Sequence, residues 1–236
     1  MQQILGMMRK AITDYNMIQD GDSVAVGVSG GKDSVVLLTG LARLRAFIGI
    51  DFRVVGVTLD PGFAGVVQNY QPIHELAASL GVEYIVKETD IGKVVFDDRQ
   101  EKNPCSLCAR MRRGALHDTA KALGCNKIAL GHHSDDAVET FVMNLFNEAR
   151  IGCFSPVTYL SRKDVTVIRP LVYAKERDVM HAIRVNNLPV VKSKCPVDKT
   201  TNRQWTKEWL LEMEKTHPGI TDRLMGAVQR GHISGW

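Results

Sequence analysis

Five short runs rich in β-branched residues alternate with segments whose apolar positions recur at helical spacing, and this alternation constrains the chain more than any other feature. SVAVGV precedes a helix from about Asp33, FRVVGVTL a helix around Ile73 to Leu80, and VEYIVKE a helix after Pro104. KIALG precedes a helix through AVETFVMNLF, and VTVIRP one around Glu176 to Val185. Such alternation with buried-looking strands predicts an α/β fold of Rossmann type: a parallel sheet covered by helices on both faces. Ligands in such sheets sit at the carboxyl ends of the strands. Three segments at those ends are candidates, SGGKDS, TLDPGF and GHHSDD, and they should converge.

At 236 residues, one large domain with a C-terminal elaboration is expected. The reading is an N-terminal helix over 1–20, a main domain over 21–190 and a helical appendage over 191–236. The appendage begins where the pattern changes to SKCPVDKTTNRQW, and it holds helix-like stretches at Gln204–Lys215 and Thr221–Gln229. There is no internal repeat. No apolar run approaches the ~20 residues of a membrane span, which sets membrane proteins aside. MQQILGMMRKAITDYNMI is amphipathic and lacks both the apolar core and the cleavage site of a signal peptide, so the chain reads as mature and cytoplasmic.

SGGKDS, Ser29 to Ser34, follows a strand and opens a helix, as an anion-binding loop must: glycines free the backbone amides and the helix N-terminus attracts negative charge. It is not a Walker loop, since Val26 stands where the first glycine belongs and Asp33 where Ser or Thr should follow the lysine. The dinucleotide fingerprint fails at Ser29. The hexapeptide instead resembles the signature of the PP-loop ATP pyrophosphatases. That resemblance implies cleavage of ATP between its α- and β-phosphates, transfer of AMP to a substrate oxygen and release of pyrophosphate. It implies that the amides of Gly30 and Gly31 and the hydroxyls of Ser29 and Ser34 hold phosphate oxygens, that Lys32 neutralises charge, and that Asp33 caps the helix or meets Mg2+. Leu59, closing the second strand in TLDPGF, is placed at the ATP site with them.

In GHHSDD, Asp135 or Asp136 is expected to cap a helix, a role that stabilises by ~1 kcal/mol and needs no catalysis. The segment also resembles the GH-x-x-DD run of tRNA-modifying PP-loop enzymes, which implies Gly131 and His132 near the nucleotide and Asp135 as a magnesium or general-base carboxylate. Zinc on the paired histidines and aspartates is an alternative without a further ligand set.

Five cysteines, an odd number without an export signal, argue against a disulfide framework. Cys105 and Cys108 are two residues apart in PCSLCARMRRG, at the start of an expected helix whose dipole should favour thiolates. Cys195 lies in the appendage, while Cys125 and Cys153 read as packing positions. A lone CxxC is compatible with a redox pair, half a zinc site or, with a third thiolate, an iron–sulfur cluster. Net charge is a mild +4, but Arg110, Arg112 and Arg113 cluster beside the thiols, where a basic group can hold RNA phosphates.

Taken in order, SGGKDS, CSLCARMRRG, GHHSDD, IRPLVYAKERDV and the Cys195 segment with its trailing NRQW resemble the tRNA 2-thiocytidine synthetases, the TtcA branch of the PP-loop family, over about Gly21 to Gly219. Cys195 is followed by ProValAsp rather than by a nearby second cysteine. The resemblance implies a 4Fe-4S cluster on Cys105, Cys108 and Cys195, catalytic work by Lys32, Asp33, Arg112 and Asp135, and RNA contact through Arg110, Arg112 and Arg113. It implies ATP and Mg2+, a tRNA substrate thiolated at cytidine C2 in the anticodon loop, a sulfur donor that is sulfide or a cysteine desulfurase, and a homodimer. Three alternatives stay open: persulfide chemistry on a cysteine without a cluster, an amine nucleophile as in tRNA lysidine synthetases, and a non-catalytic iron–sulfur or RNA-binding module.

Overall fold

The computed structural model describes residues 1–63, 68–99, 104–192, 194–197 and 202–236. Helix α1 (Gln2–Asp14) is followed by β1 (Asp22–Gly27), α2 (Lys32–Leu44), β2 (Phe52–Asp60), α3 (Gln71–Ser79) and β3 (Glu83–Glu88). A short helix, α4 (Ile91–Lys93), runs on as a π turn over Val94–Asp98. Next come α5 (Pro104–Ala122), β4 (Lys127–Ala129), α6 (Ser134–Glu148), β5 (Val157–Leu160), β6 (Val165–Ile168) and α7 (Glu176–Val185). Helices α8 (Asn202–Thr216) and α9 (Ile220–Arg230) complete the described chain with a last 3-10 turn, Ile233–Gly235. None of these helices is long and apolar enough to cross a membrane.

The six strands form one sheet in the order β3-β2-β1-β4-β6-β5. Strands β1 to β4 and β6 run parallel, with Val24 opposite Val54 on one side and Lys127 on the other. The expected parallel sheet is present, with one addition at its edge, where β5 pairs antiparallel with β6 through a hairpin whose turn uses a left-handed Asp164. VTYL is short and half-exposed, as an edge strand is, and so carries no buried apolar run to read. At the other edge, β3 is also largely exposed rather than buried, because only β2 pairs with it.

The alternation of side chains across β1 and β2 divides the core. Val24, Val26, Phe52 and Val54 face a large cluster with α1, α2, α6 and α7, whereas Ala25, Val55, Val57 and Leu59 face a smaller one built on Leu116 and Ala120 of α5. Helix α2 is buried from Ser34 through Ala42, since α1 covers it on the outside. At Gly40 a methyl group would overlap the Met8 sulfur, so α1 packs directly on the α2 backbone. Helices α8 and α9 join the same core through Leu210, Met225 and Val228. Trp236 is anchored by its indole N–H, which donates to the Phe154 carbonyl at 2.6 Å.

Chain direction across the sheet reverses at β1: β2 and β3 build outward on one side, and β4 returns to the other. A crevice opens at the carboxyl ends of strands flanking such a switch point. SGGKDS leaves β1 and GHHSDD leaves β4, so topology alone brings them together.

Candidate active site

The loop after β1 is tied by its own serines. Ser34 Oγ donates to the Gly31 carbonyl at 2.9 Å and accepts from the Ser29 amide at 3.1 Å, and the two hydroxyls lie 3.2 Å apart. Gly30 has φ +83°, a left-handed backbone favouring glycine, and a Cβ there would stand 2.9 Å from Val191 Cβ. Val191 closes the loop from the far side, its amide donating to the Gly30 carbonyl at 2.9 Å. Gly131 answers to a close approach: a Cβ would lie 3.0 Å from the Asp33 carbonyl carbon and 3.2 Å from the Ser34 nitrogen. The β4–α6 loop therefore rests against the first turn of α2.

Two cavities flank this loop. One, of about 260 Å³, is lined by Ser29 and Gly31, by Leu59, Asp60 and Pro61 at the end of β2, and by Tyr70 and Arg112. Asp60 is buried and accepts from the Gly62 amide at 3.0 Å. Burial, followed by the charge of Asp60, pushes the Tyr70 phenol up to about 12, so it remains a neutral donor. The other cavity, of about 350 Å³, joins Lys32 and Asp33 to His133, Asp136 and Glu139 of the β4–α6 segment, to Glu176, to Arg203 and Lys207, and to Cys105 and Cys195. Both open at the same carboxyl edge, on either side of the SGGKDS turn.

Charge in the second cavity is heavily paired. Lys32 Nζ lies 2.9 Å from both Asp33 oxygens and 3.2 Å from Glu176 Oε1. Burial alone would pull the Lys32 pKa down, but Asp33 and Glu176 outweigh it and raise the value, so the ammonium persists. Lys207 Nζ holds the other side of Glu176 at 2.6 and 2.8 Å. Against the pull of burial, these lysines lower the Glu176 pKa. Arg203 donates to Asp136 at 2.9 Å, to Glu139 at 3.3 Å and to Thr140 at 3.2 Å. Glu139 is the exception to full compensation: burial pushes its carboxyl up to about 7 despite Arg203.

The cap of α6 corrects one expectation. The N-cap is His133, whose Nδ1 accepts from the Asp136 amide at 3.4 Å, while Asp136 Oδ2 accepts from the His133 amide at 2.9 Å. That acceptor role puts the ring proton on Nε2, which faces Asp33 Oδ1 at 3.5 Å. Asp135 turns away and accepts from the Glu176 amide at 2.8 Å, fixing the start of α7. His132 lines neither cavity; its ring packs 5.1 Å from Phe154, and burial pulls its pKa to about 4. The neutral ring keeps a buried Nδ1 without a hydrogen-bond partner.

Helix α5 begins at Pro104, a favoured first position, and sets Cys105 and Cys108 on one face. Cys105 is exposed, and Cys108 is buried against Ile91 and Val95. Burial raises the Cys108 thiol, contrary to the thiolate expected from the helix dipole; Arg112 opposes the rise, and Cys195 and Cys105 add to it. Cys105 and Cys195 are therefore both near enough to act electrostatically on Cys108. The donor set suits iron in a cluster, and the approach of Cys105 and Cys195 to Cys108 fits a shared group. Among the described residues no three His, Cys, Asp or Glu side chains close on a single metal ion, and the GHHSDD residues form no zinc cage. Residues 193 and 198–201, either side of Cys195, lie outside the described chain. Cys125 is buried in the α5 cluster, and Cys153 packs on the large core with its thiol pushed by burial to about 11.

The arginines divide. Arg112, one turn beyond Cys108, lines the smaller cavity, whereas Arg110 and Arg113 are exposed and line neither. Residues given no ATP-site or catalytic role from sequence are Asp60, Glu139, Glu176, Arg203 and Lys207, together with His133 and Asp136, which read from sequence only as capping or zinc candidates. Their signals are an acid at a strand end, the rest of GHHSDD with the AVET that follows it, the ERDV run, and NRQW with Lys207 two residues beyond.

A PP-loop domain description matches residues 3–213. The tRNA-cytidine(32) 2-sulfurtransferase of Pelobacter propionicus is 40% identical over 226 residues, covering 94% of this chain and 83% of that protein. Its namesake from Geobacter sulfurreducens is 38% identical over 230 residues, covering 96% and 89%. Among solved structures, the U34-tRNA thiolase NcsA from Methanococcus maripaludis, with its 4Fe-4S cluster, aligns at a TM-score of 0.81 and 24% identity over 97% of this chain and 77% of that one. NMN synthetase from Francisella tularensis aligns at 0.51 and 16% identity over 89% and 84%. The structural likenesses establish the fold; the sequence likenesses, spread over nearly the whole chain, establish kinship. The chain belongs to the PP-loop family, among the tRNA-cytidine(32) 2-sulfurtransferases.

Proposed function

We propose that the chain is an ATP-dependent tRNA sulfurtransferase that exchanges the C2 carbonyl oxygen of an anticodon-loop cytidine for sulfur. The observation that carries this reading is the shared cavity: Cys105 and Cys195 face Lys32 and Asp33 across one space, so a sulfur nucleophile and an activated oxygen meet there. A carbonyl oxygen is a poor leaving group. Its attack on the α-phosphorus of ATP expels pyrophosphate and leaves AMP on the oxygen; sulfur then adds to C2, and AMP departs with its electron pair and that oxygen.

The residues divide these tasks. The amides of Gly30 and Gly31 and the hydroxyls of Ser29 and Ser34 receive the phosphates at the α2 N-terminus. Leu59 and Pro61 give the smaller cavity an apolar wall for the base. Lys32, held between Asp33 and Glu176, shifts toward the departing pyrophosphate, and Lys207 remains to neutralise Glu176. Asp33 is the carboxylate placed to meet the magnesium that accompanies ATP. Asp136 and His133 orient Asp33 and the α6 terminus, while Asp135 serves the α7 start. Cys105, Cys108 and Cys195 would hold a 4Fe-4S cluster, which when bound supplies an iron without a protein ligand to hold the incoming hydrosulfide. Arg112, at the smaller cavity, would hold the target phosphate or stabilise the developing oxyanion.

The test is an anaerobic reaction of reconstituted protein with tRNA, ATP and sulfide, following AMP and the thiolated nucleoside. Lys32→Ala should abolish AMP formation and keep iron; Cys105→Ala should lose iron. No tRNA-dependent AMP, or amine incorporation in place of sulfur, would overturn the reading.

A further inference from the structure

Two aromatic side chains beside the larger cavity are left in solvent by the fold. Phe146 of α6 and Trp205 of α8 are 54% and 51% exposed. With the partly buried Trp209 they form an edge-to-face group: the Phe146 centroid is 6.4 Å from Trp205 at 63° and 5.2 Å from Trp209 at 81°. The group lies beyond the cavity along α6. Phe146 comes seven residues after Glu139, on the same face of α6 and about 10 Å along it. Trp205 shares the first turn of α8 with Arg203 and Gln204, which both line the cavity, but points to another side of that helix, toward Phe146. Exposed Arg150 lies just past the end of α6 and donates to Asn144 at 3.4 Å, so the helix end that carries Phe146 also carries a cation.

We propose that Phe146 and Trp205 form a stacking platform for an unpaired nucleotide next to the one whose base enters the cavity. This rests on the sulfurtransferase reading, which requires a single-stranded RNA loop to reach the cavity. Every base offers a π face, so aromatic rings at a rim hold unpaired RNA whatever its sequence, and a neighbouring arginine suits the backbone phosphate. A second copy of the chain seated on this rim would instead cover the approach that the polynucleotide needs.

The experiment titrates wild type, Phe146→Ala, Trp205→Ala and Trp205→Phe with tRNA, reading intrinsic tryptophan fluorescence and gel mobility. Loss of a stacked base weakens binding by about 5- to 150-fold. Trp205→Ala should show that loss along with most of the quenching, and Trp205→Phe should recover the affinity. Iron content and the KM for ATP should not change in any variant. Wild type that binds tRNA no better than Trp205→Ala sinks the platform alone. Sedimentation showing that either alanine variant converts a dimer to a monomer reassigns the patch to a second copy and overturns it as well. Wild type that binds no tRNA sinks the sulfurtransferase reading and the platform with it.

Discussion

Replacing Glu139 by Gln should stabilise the protein, and only above acidic pH. The side chain is 8% exposed, and its carboxyl is raised from 4.5 to about 7, chiefly by burial. A carboxyl whose folded pKa exceeds its unfolded one contributes most below the unfolded value, and that contribution is lost as pH rises through the folded one. The window runs from pH 4.5 to about 7. At 1.36 kcal/mol per unit the shift corresponds to roughly 3 kcal/mol. The partner Arg203 is 42% exposed. Solvent screening at that partner sets the expected gain at about 1–3 kcal/mol. Gln keeps an acceptor for Arg203 without the buried charge. His132 contributes in the opposite sense: its value is pulled from 6.5 to about 4, so its share is lost as pH falls through that range. Comparing variant with wild type at each pH removes the His132 contribution. Urea unfolding at pH 5 and pH 8 supplies the measurement. Near-equal stability at pH 5 and a more stable variant at pH 8 are expected; a variant equal to or weaker than wild type at pH 8 would refute the assignment of Glu139 as an incompletely compensated buried acid.

Gly131→Ala places a methyl against the Asp33 and Ser34 backbone, which cannot swing aside, so a loss of about 1–3 kcal/mol in thermal or urea unfolding and a raised KM for ATP are expected. Gly30→Ala adds a left-handed φ to a 2.9 Å clash with Val191 and should cost more than Gly131→Ala; equal costs would show that the loop relaxes freely. Trp236→Ala removes a buried indole and its hydrogen bond to Phe154, with an expected loss of about 3–5 kcal/mol by denaturant titration. In cluster-free protein, iodoacetamide at pH 8 should label exposed Cys105 well before Cys125 or Cys153, and mass spectrometry of timed digests reads the order.

Much of the fold was legible in the chain because burial writes itself into local pattern. The β-branched runs at Val24, Val54 and Ile128 lie in the sheet interior, and the helices follow them. SGGKDS, CSLC and GHHSDD could be located because each carries its chemistry in contiguous residues. The hairpin strand Val157–Leu160 could not be read, since an edge strand buries too little to leave a periodic signal. Nor could the exchange of roles between neighbours in GHHSDD. His133 and Asp136 face the cavity while His132 and Asp135 turn to packing and to α7, a choice made by the helix start and by what already occupied each side.

The sequence by itself determined the buried strands, the helices that follow them, their order and the loop that can receive phosphate, because glycine freedom, side-chain periodicity and helix starts act over a few residues. Only the tertiary structure decided that Arg203 and Lys207, far along the chain, close the site begun by Lys32, that Glu139 keeps a carboxyl near neutrality, and that Cys195 stands with Cys105. Those outcomes depend on desolvation and on distances between charges, which exist only once the sheet has brought its strand ends together.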